Sequence, residues 1–123
     1  TTAHTLSLHD ALPICRDMKK RKKMGLIAVN HSSFSVFTSD NPRDENPEKI
    51  IEDMISGIDT IQLKKVFIEL DREIAIKLAL SMIDEKCIVL IAGKGHENYQ
   101  IIKSKKIEFN DSYVVKKSLK IAV

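Results

Sequence analysis

Apolar residues change their spacing along this chain in a way that separates helices from strands. Ile50, Ile51, Met54, Ile55 and Ile58 recur at three- and four-residue intervals, which sets them on one face of a helix. Asn46 ahead of Pro47 supplies a capping side chain and then a proline where no N–H is needed. A helix is predicted over residues 47–56, ending near Gly57. Ile74, Ala75, Leu78, Ala79 and Met82 repeat the spacing behind Asp71, and predict a second capped helix. Residues 66–70, Val-Phe-Ile-Glu-Leu, are rich in side chains that suit a pleated surface. Residues 35–38 also read as a strand. Residues 87–92, Cys-Ile-Val-Leu-Ile-Ala, are continuously apolar and predict a strand covered on both faces, as in a parallel sheet.

Strand, helix, strand in this order makes a right-handed crossover unit. Ile101-Ile102 and residues 107–109 predict a short antiparallel pair around residues 103–106. Asn110 or Asp111 starts a last helix running to Lys120, and residues 24–29 form a short helix after a basic run. The fold class is therefore α/β: a mostly parallel sheet with an antiparallel edge.

Two loops at strand ends carry the candidate chemistry, and strand ends are where open α/β sheets bind ligands. The first, Thr38 to Arg43, offers the amide of Asn41 and the guanidinium of Arg43. The second, Gly93 to Gln100, offers two glycines, Lys94, His96 and Glu97. Fixed charges of both signs facing one crevice suit a zwitterion such as an amino acid. Taken singly the motifs are weak. Gly93-Lys94-Gly95 has neither phosphate-loop nor dinucleotide spacing, His96 suits a loop hydrogen bond, Glu97 a surface pair with Lys94, and Asn41-Pro42 a turn.

Composition narrows the reading further. The 123 residues are 43% hydrophobic, enough for one core. The balance of 20 basic against 17 acidic side chains gives +3, too mild to imply nucleic acid, and residues 19–23, Lys-Lys-Arg-Lys-Lys, read as a solvated face. No apolar stretch approaches the ~20 residues that span a bilayer, so a cytoplasmic protein with no membrane partner is expected. Cys15 and Cys87 have no metal-ligand spacing, and neither a metal site nor cysteine catalysis is expected. Residues 1–14 show no sustained period and are read as a non-native or unstructured leader. The domain then runs from 15 to 123, as a fragment incomplete at its N-terminal side.

In order and in register with the strands, these pieces together are specific. Arg16-Asp17 with Lys20-Arg21 and Met24-Gly25, Thr38 to Arg43 with Pro47, Asp71-Arg72 with Ala75-Ile76, and Ala92 to Glu97 with Tyr99-Gln100 resemble the carboxyl-terminal domain of the Mur ligases. The likeness is to the branch adding the third amino acid of the bacterial cell-wall peptide. It implies a Rossmann-like sheet with helices on both faces. Asp-Asn-Pro-Arg resembles the form that selects meso-diaminopimelate. Two positions depart from the family pattern: Pro13-Ile14-Cys15 stands where glycines close a strand, and Lys22 where proline is usual.

The resemblance implies ATP- and Mg2+-dependent amide formation on UDP-N-acetylmuramoyl-dipeptide, with nucleotide and metal held mainly by a central domain outside this chain. It implies that Arg16 contacts a carboxylate of the amino acid and that Asp40, Asn41, Pro42 and Arg43 form the selectivity loop. Arg43 would grip the distal carboxylate, Gly93 would approach by its backbone, and Glu97 would receive the distal ammonium. No catalytic residue is expected in the fragment itself. The alternatives are a related Mur or folylpolyglutamate-type ligase domain taking another amino acid, and a non-catalytic basic binding module.

Overall fold

The basic run is helical throughout. In the computed structural model, which describes residues 18–93 and 98–120, α1 spans Met18–Asn30 and takes in residues 19–23 together with the predicted 24–29. Lys19, Lys20, Lys22 and Lys23 are exposed, whereas Arg21 turns inward. Ala28 and Val29 are buried. The helix is held by packing against α2 (Pro47–Ile55), which Gly25 meets so closely that a Cβ there would stand 1.8 Å from the Met54 carbonyl oxygen. α2 is capped as its sequence predicts: the Asn46 side chain accepts from the Glu48 N–H at 2.9 Å, and Ile51 and Met54 face the core.

β1 (Ser35–Phe37) pairs in parallel with β2 (Val66–Ile68), Val36 opposite Phe67. The connection carries α2 and the short α3 (Thr60–Leu63). Four residues are too few for a helical period to show in sequence, and α3 was not expected; its signal is the Asp59 cap, whose side chain accepts from the Gln62 N–H at 2.7 Å. Successive strand residues point to opposite faces. Phe37 joins Ala28, Val29, Ile51, Met54 and Ile58 on one side of the sheet, and Val36 joins Ala75 and Ala79 of α4 (Arg72–Ser81) on the other. Helices thus cover both faces.

Residues 87–92, expected as a doubly covered strand completing a crossover unit, form no strand here, and among the described residues the parallel sheet consists of β1 and β2. Val89 packs against the cluster of Val36, Ala75 and Ala79, while Ile88 and Leu90 are 57% and 51% exposed. The segment alternates inward and outward, and among the described residues no element covers its second face. Beyond it, β3 (Tyr99–Ile102) and β4 (Lys105–Glu108) form the expected antiparallel pair, turning at Lys103-Ser104. α5 (Asp111–Ser118) follows. Its cap Asn110 accepts from the Tyr113 N–H at 3.0 Å, and Lys116 and Lys117 sit at its negative end.

Candidate functional site

The chain leaving β1 at Phe37 does not wander to the next helix; it is laced to the hairpin along its length. Gln100 Nε2 donates to the Ser39 carbonyl at 3.3 Å, and the Ile101 N–H donates to Asn41 Oδ1 at 2.8 Å. The Arg43 N–H donates to the Ile101 carbonyl at 3.2 Å, and the Lys103 N–H to the Arg43 carbonyl at 2.5 Å. Arg43 therefore bridges Ile102 as one rung of a parallel ladder. Asp40 and Pro42 are buried, and Asn41 and Arg43 half-buried. The Asn41 oxygen, expected among the ligand groups, is committed to holding β3.

Arg43 adopts φ 55°. A left-handed backbone is rare for a non-glycine residue, and it persists where the surroundings over-determine it. Here they do so from both sides. The Glu45 N–H closes the turn on the Pro42 carbonyl at 3.0 Å. The Glu45 carboxylate then takes both terminal nitrogens of Arg21, at 2.6 and 2.7 Å, and Arg21 Nη1 also donates to Asp53 at 2.9 Å. Lys49 reaches the other Asp53 oxygen at 3.0 Å. The Arg21 hydrogen bonds hold the Glu45 carboxyl below the usual range and raise the guanidinium in turn. Burial pushes Asp53 up, but the hydrogen bonds from Lys49 and Arg21 outweigh it and its pKa falls.

Gly93 stands directly beyond residues 87–92 with φ 118°, a backbone that side chains rarely tolerate. It is brought to the first loop by one side chain. The Arg72 guanidinium reaches the Ser39 carbonyl at 3.4 Å and the Ala92 carbonyl at 3.3 Å, while forking onto Asp111. Asp40, Asn41, Pro42, Arg43 and Gly93 thus lie on two joined loops. Arg16 and Glu97 lie outside the described residues. Sequence reasoning missed the holders of these loops, Arg72, Gln100 and the Arg21–Glu45 pair. A signal was present: an arginine directly after a helix cap opposes the helix dipole. Among the described residues no three His, Cys, Asp or Glu side chains are grouped to hold a metal ion, and no helix is long and apolar enough to cross a membrane.

The fold is of the open α/β class, in which ligands sit at the strands' carboxyl ends, and here a backbone-pinned turn carrying Arg43 stands at such an end. The family profile described as "Mur ligase, glutamate ligase domain" matches residues 10–95. The chain belongs to that family. It is 53% identical over 104 residues to the UDP-N-acetylmuramoyl-L-alanyl-D-glutamate--2,6-diaminopimelate ligase of Aquifex aeolicus (strain VF5), covering 85% of this chain and 21% of that protein. To the ligase of the same name from Geobacillus kaustophilus (strain HTA426) it is 47% identical over 105 residues, 85% of this chain and 21% of that one. A solved structure titled as that ligase superposes with a TM-score of 0.84 at 34% identity, covering 98% of this chain and 24% of its own. The chain spans about a fifth of the length of the curated relatives it matches.

Proposed function

We propose that this chain is the part of a longer ligase that receives the incoming amino acid. That amino acid is meso-diaminopimelate, and it is joined to UDP-N-acetylmuramoyl-L-alanyl-D-glutamate in an ATP-dependent reaction. In this reading Arg43 makes a two-point contact to the distal carboxylate and Glu97 takes the distal ammonium. Arg16 meets another carboxylate, Asp40, Asn41 and Pro42 shape the loop, and Gly93 lets the backbone come close. The observation that supports it is the pinning of Arg43, fixed in a left-handed backbone between the hairpin and the turn to Glu45. A guanidinium carried on so firmly held a backbone starts from a fixed point, which favours discrimination by geometry.

The described residues do not fit ATP with magnesium: they hold no metal-binding cluster, and the sequence contains no G-x-x-x-x-G-K-[S/T] loop. In this proposal nucleotide and Mg2+ are held by other domains of the same ligase, in the bacterial cytoplasm, with neither nucleic acid nor membrane as partner. This chain's work is to bind the amino acid and present its amine to an activated carboxylate formed elsewhere, which is catalysis by positioning.

The test is the ratio of catalytic efficiencies for diaminopimelate and lysine in the complete ligase. Lysine lacks the distal carboxylate and would leave the guanidinium unpaired, so rejection by up to ~10⁴-fold is expected. Arg43→Ala should cut diaminopimelate efficiency at least ~100-fold and shrink that ratio, and Arg43→Lys should fail substantially because an ammonium lacks the planar fork. A ratio that stays put would place selectivity elsewhere.

A further inference from the structure

Arg72 is the first residue of α4, directly after its Asp71 cap. A cation there faces the positive end of the helix dipole, and this side chain is 0% exposed, so it has lost its water as well. Two unfavourable placements in one residue are explained by what it touches. Nε and Nη2 grip the two Asp111 oxygens, each at 2.7 Å. Asp111 is the first residue of α5, so the fork ties the starts of two helices. The remaining reach of the guanidinium goes to the carbonyls of Ser39 and Ala92, at the long end of hydrogen-bonding distance. Ser39 immediately precedes Asp40, and Ala92 immediately precedes Gly93.

We propose that Arg72, oriented by Asp111, is a positioning residue that sets the separation of the two loops binding the amino acid. This inference rests on the amino-acid site proposed above. Five N–H groups in a rigid plane can serve a carboxylate and two carbonyls at once; a lysine, with three donors on a flexible stem, cannot span them. Stability does not explain the choice, because buried ion pairs are frequently replaceable by apolar side chains without loss. The geometry does. Gln100 Nε2 supports the same Ser39 carbonyl from the hairpin side.

The experiment is steady-state kinetics on the complete ligase containing this domain, with diaminopimelate and ATP varied separately. Arg72→Met, Arg72→Lys and Asp111→Asn should each raise the KM for diaminopimelate, by about 10–100-fold for the two Arg72 variants, and leave the KM for ATP unchanged. Asp111→Asn preserves size and one acceptor, so it reports even if the Arg72 variants do not fold. Variants that unfold at the wild-type temperature yet keep the wild-type KM for diaminopimelate overturn the proposal, as does a proportional loss for both substrates. Arg43→Ala separates the two levels. If it too leaves the diaminopimelate KM unmoved, the amino-acid site itself is wrong and this inference falls with it; if it alone raises that KM, only the positioning role is overturned.

Discussion

Arg43 carries two properties that pull in opposite directions. Its guanidinium is the proposed specificity group, while its backbone at φ 55° is one that a non-glycine residue enters at a cost of about 1 kcal/mol or more. Glycine enters the same region freely. Arg43→Gly should therefore raise the unfolding free energy of the domain by up to about 1 kcal/mol, while abolishing selection of diaminopimelate over lysine in the complete ligase. Denaturant unfolding and competitive turnover measure the two effects, and a destabilised Arg43→Gly would show that the turn depends on the side chain. The position of the two loops was legible in sequence at this scale. Asp40 to Arg43 follow β1 and Gly93 follows the apolar run 87–92, and the structure joins the two loops through Arg72. What was hidden is that the Asn41 oxygen is already engaged by the Ile101 N–H. No local pattern announces a hydrogen bond between residues sixty positions apart.

Elements whose signals are local were read closely, and those defined by a distant partner were not. Asn46-Pro47, Asp71 and Asn110 each open a helix as their capping chemistry demands. α1 outruns its predicted start because the lysines of residues 19–23 have helical propensity that charge counting hides, and because Gly25 and Arg21 engage α2 and its preceding loop. Residues 87–92 misled because a continuous apolar run says nothing about which neighbours are present. The Arg21–Glu45–Asp53 cluster joins α1, the turn at residues 42–45 and α2, and its carboxylates titrate. Glu45 and Asp53 are both depressed in the folded state. Their contribution is complete above the ordinary carboxylate range, near pH 4, and is lost as pH falls through the lower folded values. The raised Arg21 stays charged across this window and adds no slope. The midpoint of thermal unfolding should thus fall between pH 5 and pH 3 in the wild type, and fall less in Glu45→Gln. Parallel pH profiles for the two would remove the cluster from the acid response.

In the proposed reading, chemistry and recognition are divided at the scale of the whole molecule. The sheet is covered by α1 and α2 on one face and α4 on the other, and its loops carry Asn41, Arg43 and the positive-φ Gly93 but no grouped metal ligands among the described residues. The relatives named as diaminopimelate ligases are about four times as long, which leaves ample chain for a nucleotide site. Acyl activation by ATP relies on a phosphate cradle and a cation that offset the charge on the transferred group, and neither can be assembled from the residues described. The purified 123-residue chain should accordingly show no magnesium-dependent phosphate release and form no amide bond, with or without diaminopimelate. The complete ligase should do both, and lose diaminopimelate-dependent product when Arg43 is replaced. Phosphate release by the isolated chain that scales with its concentration and survives repurification would mean that the nucleotide site lies within these residues, and the division of labour proposed here would be wrong.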